Sequence, residues 1–171
     1  VLALRQLKDA RYEAASTEAA TDHQKLVASE CDIFGLDHAA IGGWLCERWK
    51  LPPVLSTAVA CSHDVHLLAA DTHPDVDRIA RIVALSGPIA DIWLHDSTAT
   101  ATTAARSASK QILGLSAAAL DGILRGVTEN SNDVAMLFNV SIASPDEMAI
   151  ILERAKETLL LLAIEATRRA S

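Results

Sequence analysis

Paired cysteines are missing from this sequence. It has three, Cys31, Cys46 and Cys61, an odd number with no two close together. That count excludes a disulfide framework and a zinc ribbon and fits reduced thiols in a cytoplasmic setting. All three fall in helical patterns and are expected to be small core residues. No uninterrupted apolar run approaches the roughly 20 residues of a membrane span, and no secretory signal is read in the chain. Clusters of Lys and Arg are missing as well. Fifteen basic residues against 22 acidic ones leave a net charge of -7, and the longest basic run is Arg168-Arg169. An acidic balance with scattered cations argues against nucleic acid or an acidic membrane surface as the partner. Gly-rich phosphate loops, the G-x-S-x-G elbow and C-x-x-C pairs are absent, and no segment reads as a strand.

What remains is helical. The 171 residues are half hydrophobic, enough for one domain or one domain with an appendage. The chain opens on Val1 in the middle of a helical pattern, so a piece of a longer polypeptide is expected. Val1 to about Ser16 reads as one helix. Thr21 with Gln24 is the expected capping box of the next, which ends at Gly35. Asp37 caps a third helix carrying Ile41, Trp44, Leu45 and Trp49. Pro52-Pro53 starts a fourth, which dies near Ser62. Asp64 to Asp75 reads as a loop. A fifth helix spans Val76 to His95, with a kink or break expected at Gly87-Pro88. Further helices run from near Ser97 to Leu113, with Gly114 as the stop, and from Ser116 to about Phe138. After an extended link at 139–143, Ser144-Pro145-Asp146-Glu147 combines a cap, a proline at the first helical position and a returning glutamate. The helix it opens carries Met148, Leu152, Ala155, Leu159 and Leu162 at alternating spacings of four and three, a heptad seam. Ile150, Ile151, Leu160 and Leu161 are apolar off that seam. The predicted fold class is all-α, a multi-helix bundle over 1–143 followed by a long amphipathic linker or dimerisation helix over 144–171.

The residues that could carry chemistry are few. His38 and His63, with Asp64 and Asp91, have the ligand types a metal ion would take. A hydrolytic two-metal site needs several such ligands round two ions, and no adjacent His-Asp pair precedes these. Local hydrogen bonding for His38 and a helix C-terminus for His63 are the plainer expectations, so no metal or other cofactor and no catalytic residue is assigned. His23, His66, His73 and His95 are expected to be solvated. Ser62 beside His63 forms no catalytic dyad. Trp44 and Trp49 are expected in a helix-hairpin core, and Glu30 on a solvated face.

One phrase is specific. Glu30, then Phe34-Gly35-Leu36-Asp37-His38-Ala39-Ala40-Ile41-Gly42, then Trp49-Lys50-Leu51-Pro52, then Ala58-Val59 and His63 resembles the HDOD domain, a bacterial signalling module related to the HD and HD-GYP metal-dependent phosphohydrolases. The likeness is close from about Leu2 to Trp93 and looser to Phe138. It implies the C-terminal part of such a domain, without the half that holds the catalytic His-Asp pair. His38 then matches the histidine of the family's H-x-x-x-G element. His63 matches the second histidine of its His-His, with Ser62 in place of the first, and Asp91 is the nearest match to a later aspartate of catalytic relatives.

The resemblance implies a non-catalytic signal-transduction module, a fragment of a multidomain regulator such as one with a receiver or GGDEF domain. It would act through other signalling domains or proteins and dimerise through the terminal helix. Two alternatives stand beside it. One is a metal-dependent phosphohydrolase using His38, His63 and Asp91. The other is a small-ligand sensor with a pocket near Trp44, Trp49 and Pro88.

Overall fold

A computed structural model describes residues 2–19, 22–94, 97–138 and 144–170. Among them are nine α-helices and no strand: α1 Leu2–Arg5, α2 Ala10–Ala19, α3 His23–Phe34, α4 His38–Arg48, α5 Pro53–Ala60, α6 Pro74–Leu94, α7 Thr98–Leu113, α8 Ala117–Phe138 and α9 Pro145–Ala170, with a 3-10 turn at Val65–Leu67. The all-α prediction holds. The chain divides into two compact units, Val1–Ala84 and Leu85–Ser171.

In the first unit α2 packs on α3 and α4 on α5. The helix predicted over Val1–Ser16 is two helices, because Asp9 competes for the backbone. Its Oδ1 accepts from the N–H groups of Arg11 at 2.8 Å and Tyr12 at 3.4 Å, an N-terminal cap for α2. Lys8 just before it takes φ 51°, which a continuous helix cannot hold. The cap of α3 is Asp22, whose side chain accepts from Lys25 N–H. Thr21, the expected cap, lies outside the described residues. Gly35 stops α3 with φ 78°, a left-handed conformation that costs glycine nothing, and its N–H bonds the carbonyl of Cys31.

The α4–α5 hairpin is the closest approach in this unit. A Cβ on Gly43 would lie 2.6 Å from the Ala60 Cβ, and one on Gly42 would lie 2.7 Å from Val59 Cγ1. Adjacent glycines therefore let the two backbones nearly touch. The tryptophans are not in that contact. Trp44 is 57% and Trp49 66% exposed, which corrects their assignment to the hairpin core. Cys61 is buried as expected, in a small cluster with Ala58 and Ala80, but Cys31 is exposed and Cys46 only half-buried.

α6 starts at Pro74, two residues before the expected Val76, and the helix continues unbroken through Pro88. In the second unit Ser97 and Gly114 bound α7 as predicted, with the Ser97 side chain accepting from Thr100 N–H and Gly114 at φ 65°. Ser144 and Glu147 form the reciprocal capping box of α9: Ser144 N–H donates to Glu147 Oε2 at 2.8 Å, and Glu147 N–H donates to Ser144 Oγ at 3.3 Å. The link at 139–143 lies outside the described residues.

α9 packs on α7 and α8. Its heptad residues Leu152, Ala155 and Leu159 join Ile92, Ala101, Ala105, Leu120 and Leu124 in one core, and Met148 is buried too. Each fully buried Leu or Ile there contributes about 1.5–3 kcal/mol of transfer free energy. The seam is therefore an internal one, with Leu162 half-buried at its end. The helix read over 144–171 as a linker or dimerisation helix packs its seam into the second unit's core.

Candidate metal centre

Three imidazoles from three different helical elements meet in the first unit. His23 is the first residue of α3, His38 the first residue of α4, and His63 follows the end of α5. Their ring centroids are 5.1 Å apart for His23 and His38, 4.9 Å for His23 and His63, and 4.5 Å for His38 and His63, each pair edge to face. His23 Nε2 lies 3.0 Å from His63 Nε2. One ring nitrogen from each of the three lies within 4.8 Å of the others.

Two carboxylates hold two of these rings from behind. Glu30, in the last turn but one of α3, is fully buried at 0% exposure. Its Oε2 accepts from the His38 backbone N–H at 2.9 Å and from His38 Nδ1 at 2.5 Å, and its Oε1 accepts from Tyr12 O–H at 3.1 Å. A buried carboxylate is tolerable only when partnered in this way. Burial raises the Tyr12 phenol above its usual range, and the neighbouring Glu30 raises it further. Asp37 also serves two ends. Oδ1 accepts from Ala40 N–H at 2.8 Å, capping α4, while Oδ2 accepts from His63 Nδ1 at 2.7 Å. Burial pushes the Asp37 carboxyl up, but the Ala40 N–H and the His63 ring outweigh it and hold the group below its usual range.

A carboxylate only accepts, so the ring nitrogen facing it is the N–H; the proton is assigned by its partner. With Nδ1–H committed on His38 and on His63, the lone pair of each neutral ring sits on Nε2. Nε2 of His63 then faces Nε2 of His23 at a distance that requires a proton or a cation between them.

His38 and His63 come together as the spacing suggested. Both stand at helix ends as expected, His38 opening α4 and His63 just past α5, but their side-chain partners are Glu30 and Asp37, 8 and 26 residues away. Glu30 is buried, not solvated, and His23 is a member of the cluster while still reached by solvent. Asp91 lies in the second unit. Asp64 caps the 3-10 turn through His66 N–H. His66 and His73 stand exposed as expected, and His95 lies outside the described residues. Phe34 packs its ring on Tyr12 at 5.7 Å, which seats the phenol over Glu30. Pro52 precedes α5 and fixes the turn from Trp49. Of the residues named for a sensor pocket, Trp44 and Trp49 are exposed in the first unit and Pro88 lies in the second. A shallow hollow elsewhere in the first unit, of about 400 Å³, is lined by Leu68, Thr72, Pro74 and the Asp77–Arg81 ion pair. Nothing in the sequence near His23 marked it, because its two partners lie 15 and 40 residues away.

Compared with protein-family models, residues 1–65 match the HDOD domain. No curated protein and no solved structure matches the chain. The match takes in the whole quoted phrase from Glu30 to His63. It covers the N-terminal part of this chain and stops at residue 65, short of the reach to Trp93 and Phe138 and of the 1–143 domain expected from the resemblance. No described helix is long and apolar enough to cross a membrane.

Proposed function

We propose that this chain, whose residues 1–65 match the HDOD domain, is a non-catalytic signal-transduction module. It works by protein contacts, as one part of a multidomain bacterial regulator with a receiver or GGDEF domain. The observation that carries this is the exposure of Trp44 and Trp49 on the α4–α5 hairpin, with Leu51 and Leu55 exposed beside them in the chain. Tryptophan left in water forgoes a large burial gain, and it is the side chain most enriched at the energetic centres of interfaces. The carboxylates support the non-catalytic half. Two-metal hydrolysis needs carboxylates aimed at ions, whereas Glu30 and Asp37 are committed to the Nδ1 sides of two imidazoles.

Self-association belongs to the same proposal, but through the outer face of α9. Ile150, Leu160, Leu161 and Ile164 are exposed. At 3.6 residues per turn they fall within about 100° of one another, opposite the buried heptad seam.

Two measurements test the reading. The chain supplied with manganese, iron or zinc is expected to turn over neither cyclic dinucleotides nor phosphomonoesters. In the full-length regulator, Trp44→Glu or Trp49→Glu is expected to alter output with the helical circular dichroism unchanged. Turnover that His38→Ala abolishes would overturn the first half and favour the phosphohydrolase reading, which the meeting of His38 with His63 motivates. Output indifferent to both tryptophans would remove the second half.

A further inference from the structure

We infer that His23, His38 and His63 bind a single first-row transition-metal ion, zinc foremost, tying the starts of α3 and α4 to the end of α5. Three observations converge on this site. The first is distance. Zinc–nitrogen bonds of about 2.0–2.1 Å in a tetrahedral site put neighbouring ligand nitrogens about 3.3 Å apart. One nitrogen of each histidine already lies within 4.8 Å of the others, and the His23–His63 pair stands at 3.0 Å. Side-chain movements of up to about 1.5 Å bring the set to that spacing.

The second observation is the hydrogen bonding behind the rings. Metal-binding histidines commonly donate their other N–H to a carboxylate, which fixes the tautomer and raises the ring's basicity. His38 does so to Glu30 and His63 to Asp37. Both rings are thereby held with Nε2 as the free donor. Neither carboxylate is a chance neighbour: Glu30 is fully buried, and Asp37 is pinned by its cap to Ala40.

The third is charge. Two carboxylates behind three neutral imidazoles balance one divalent cation. Without a cation, the 3.0 Å His23–His63 contact is a hydrogen bond from whichever ring carries Nε2–H, a proton that the metal would replace. Imidazole ligands suit zinc, copper, nickel and iron, and three of them leave one coordination position open. With no carboxylate directed at the ion, the expected role is a clip that holds three helical elements together and responds to metal supply. This inference is separate from the proposed function, because it reads metal content and stability, not turnover or output.

The test uses the whole 171-residue chain, stripped with a chelator and titrated with zinc(II) and with cobalt(II). One equivalent is expected to bind, raising the thermal midpoint, with cobalt giving the visible spectrum of a tetrahedral nitrogen site. His23→Ala, His38→Ala and His63→Ala should each weaken zinc binding at least 100-fold and abolish the metal-dependent rise in midpoint. Asp37→Asn should weaken it about 10- to 100-fold, whereas His66→Ala and His73→Ala should leave it intact. His23→Gln guards against loss of fold, since that residue opens its helix at the edge of the unit. Absence of one-to-one binding would overturn the inference. So would zinc affinity unchanged in folded His23→Gln, or binding lost on His66→Ala or His73→Ala.

Discussion

A methyl group added to Gly43 should loosen the α4–α5 hairpin. The new Cβ would sit 2.6 Å from the Cβ of Ala60, 3.2 Å from its Cα and 3.3 Å from the carbonyl oxygen of Ser56. Carbon atoms rest at about 3.5–4.0 Å, so the helices must part by about 1 Å. The obstructing atoms are backbone or directly attached to it, so no rotamer change relieves them. Overpacking of this kind costs about 1–3 kcal/mol. Alanine recovers up to about 1 kcal/mol in helix propensity, which leaves a net loss of about 1–2 kcal/mol. Gly126 in α8 supplies the contrast. A Cβ there meets nothing within 4 Å, so Gly126→Ala should stabilise by about 0.5–1 kcal/mol. Urea denaturation followed by circular dichroism reads both. With a slope of about 1–3 kcal/mol per molar, the two variants should shift the midpoints of their respective units in opposite directions by a few tenths of a molar or more. Gly42→Ala should fall between them, because Val59 Cγ1 can rotate away. A Gly43→Ala protein as stable as its parent would refute the close-packing argument.

Other consequences follow from particular contacts. Glu30→Ala removes the acceptor of Tyr12 and of His38 from a fully buried place and should cost about 3–5 kcal/mol in chemical denaturation; a loss below about 1 kcal/mol would mean that the pair carries little. Leu159→Ala should destabilise the second unit by about 2–5 kcal/mol, whereas Leu160→Ala, at a position 62% exposed, should stay within about 0.5 kcal/mol. Equal effects would place the seam elsewhere. Ser144→Ala should cost about 1 kcal/mol by removing one half of the capping box, checked by the thermal midpoint of the second unit. The hydrogen bonds from Arg11 hold the Asp9 carboxyl down to about 2 from 3.8. A depressed folded value stabilises above the unfolded one and is lost as pH falls. The thermal-midpoint advantage of the parent over Asp9→Asn should therefore be full above about pH 5 and fall away progressively to about pH 1. An advantage that does not shrink between about pH 5 and pH 2 would sink the Arg11 argument.

Much of the secondary structure was legible because helix ends are local chemistry. Asp37, Ser97, Gly35, Gly114 and the Ser144–Glu147 box act through partners within four residues or so, and each ends or begins a helix where the sequence placed it. The one early miss, a single helix through Ser16, turned on Asp9, whose capping bond outcompetes helix continuation. The heptad of α9 was legible as a pattern but not as to its partner: the same seam serves a second copy or, as here, α7 and α8. Periodicity states that a face is buried and not against what.

The sequence by itself determined the all-α class, most helix limits and the motif from Glu30 to His63, since these depend on neighbours along the chain. Only the tertiary structure decided that His23 joins His38 and His63, that Glu30 is enclosed and that Trp44 and Trp49 are not. Those outcomes depend on how α3, α4 and α5 lie against one another. The decisive packing contact, Gly43 against Ala60, joins residues 17 apart, and the decisive polar one, His23 against His63, joins residues 40 apart.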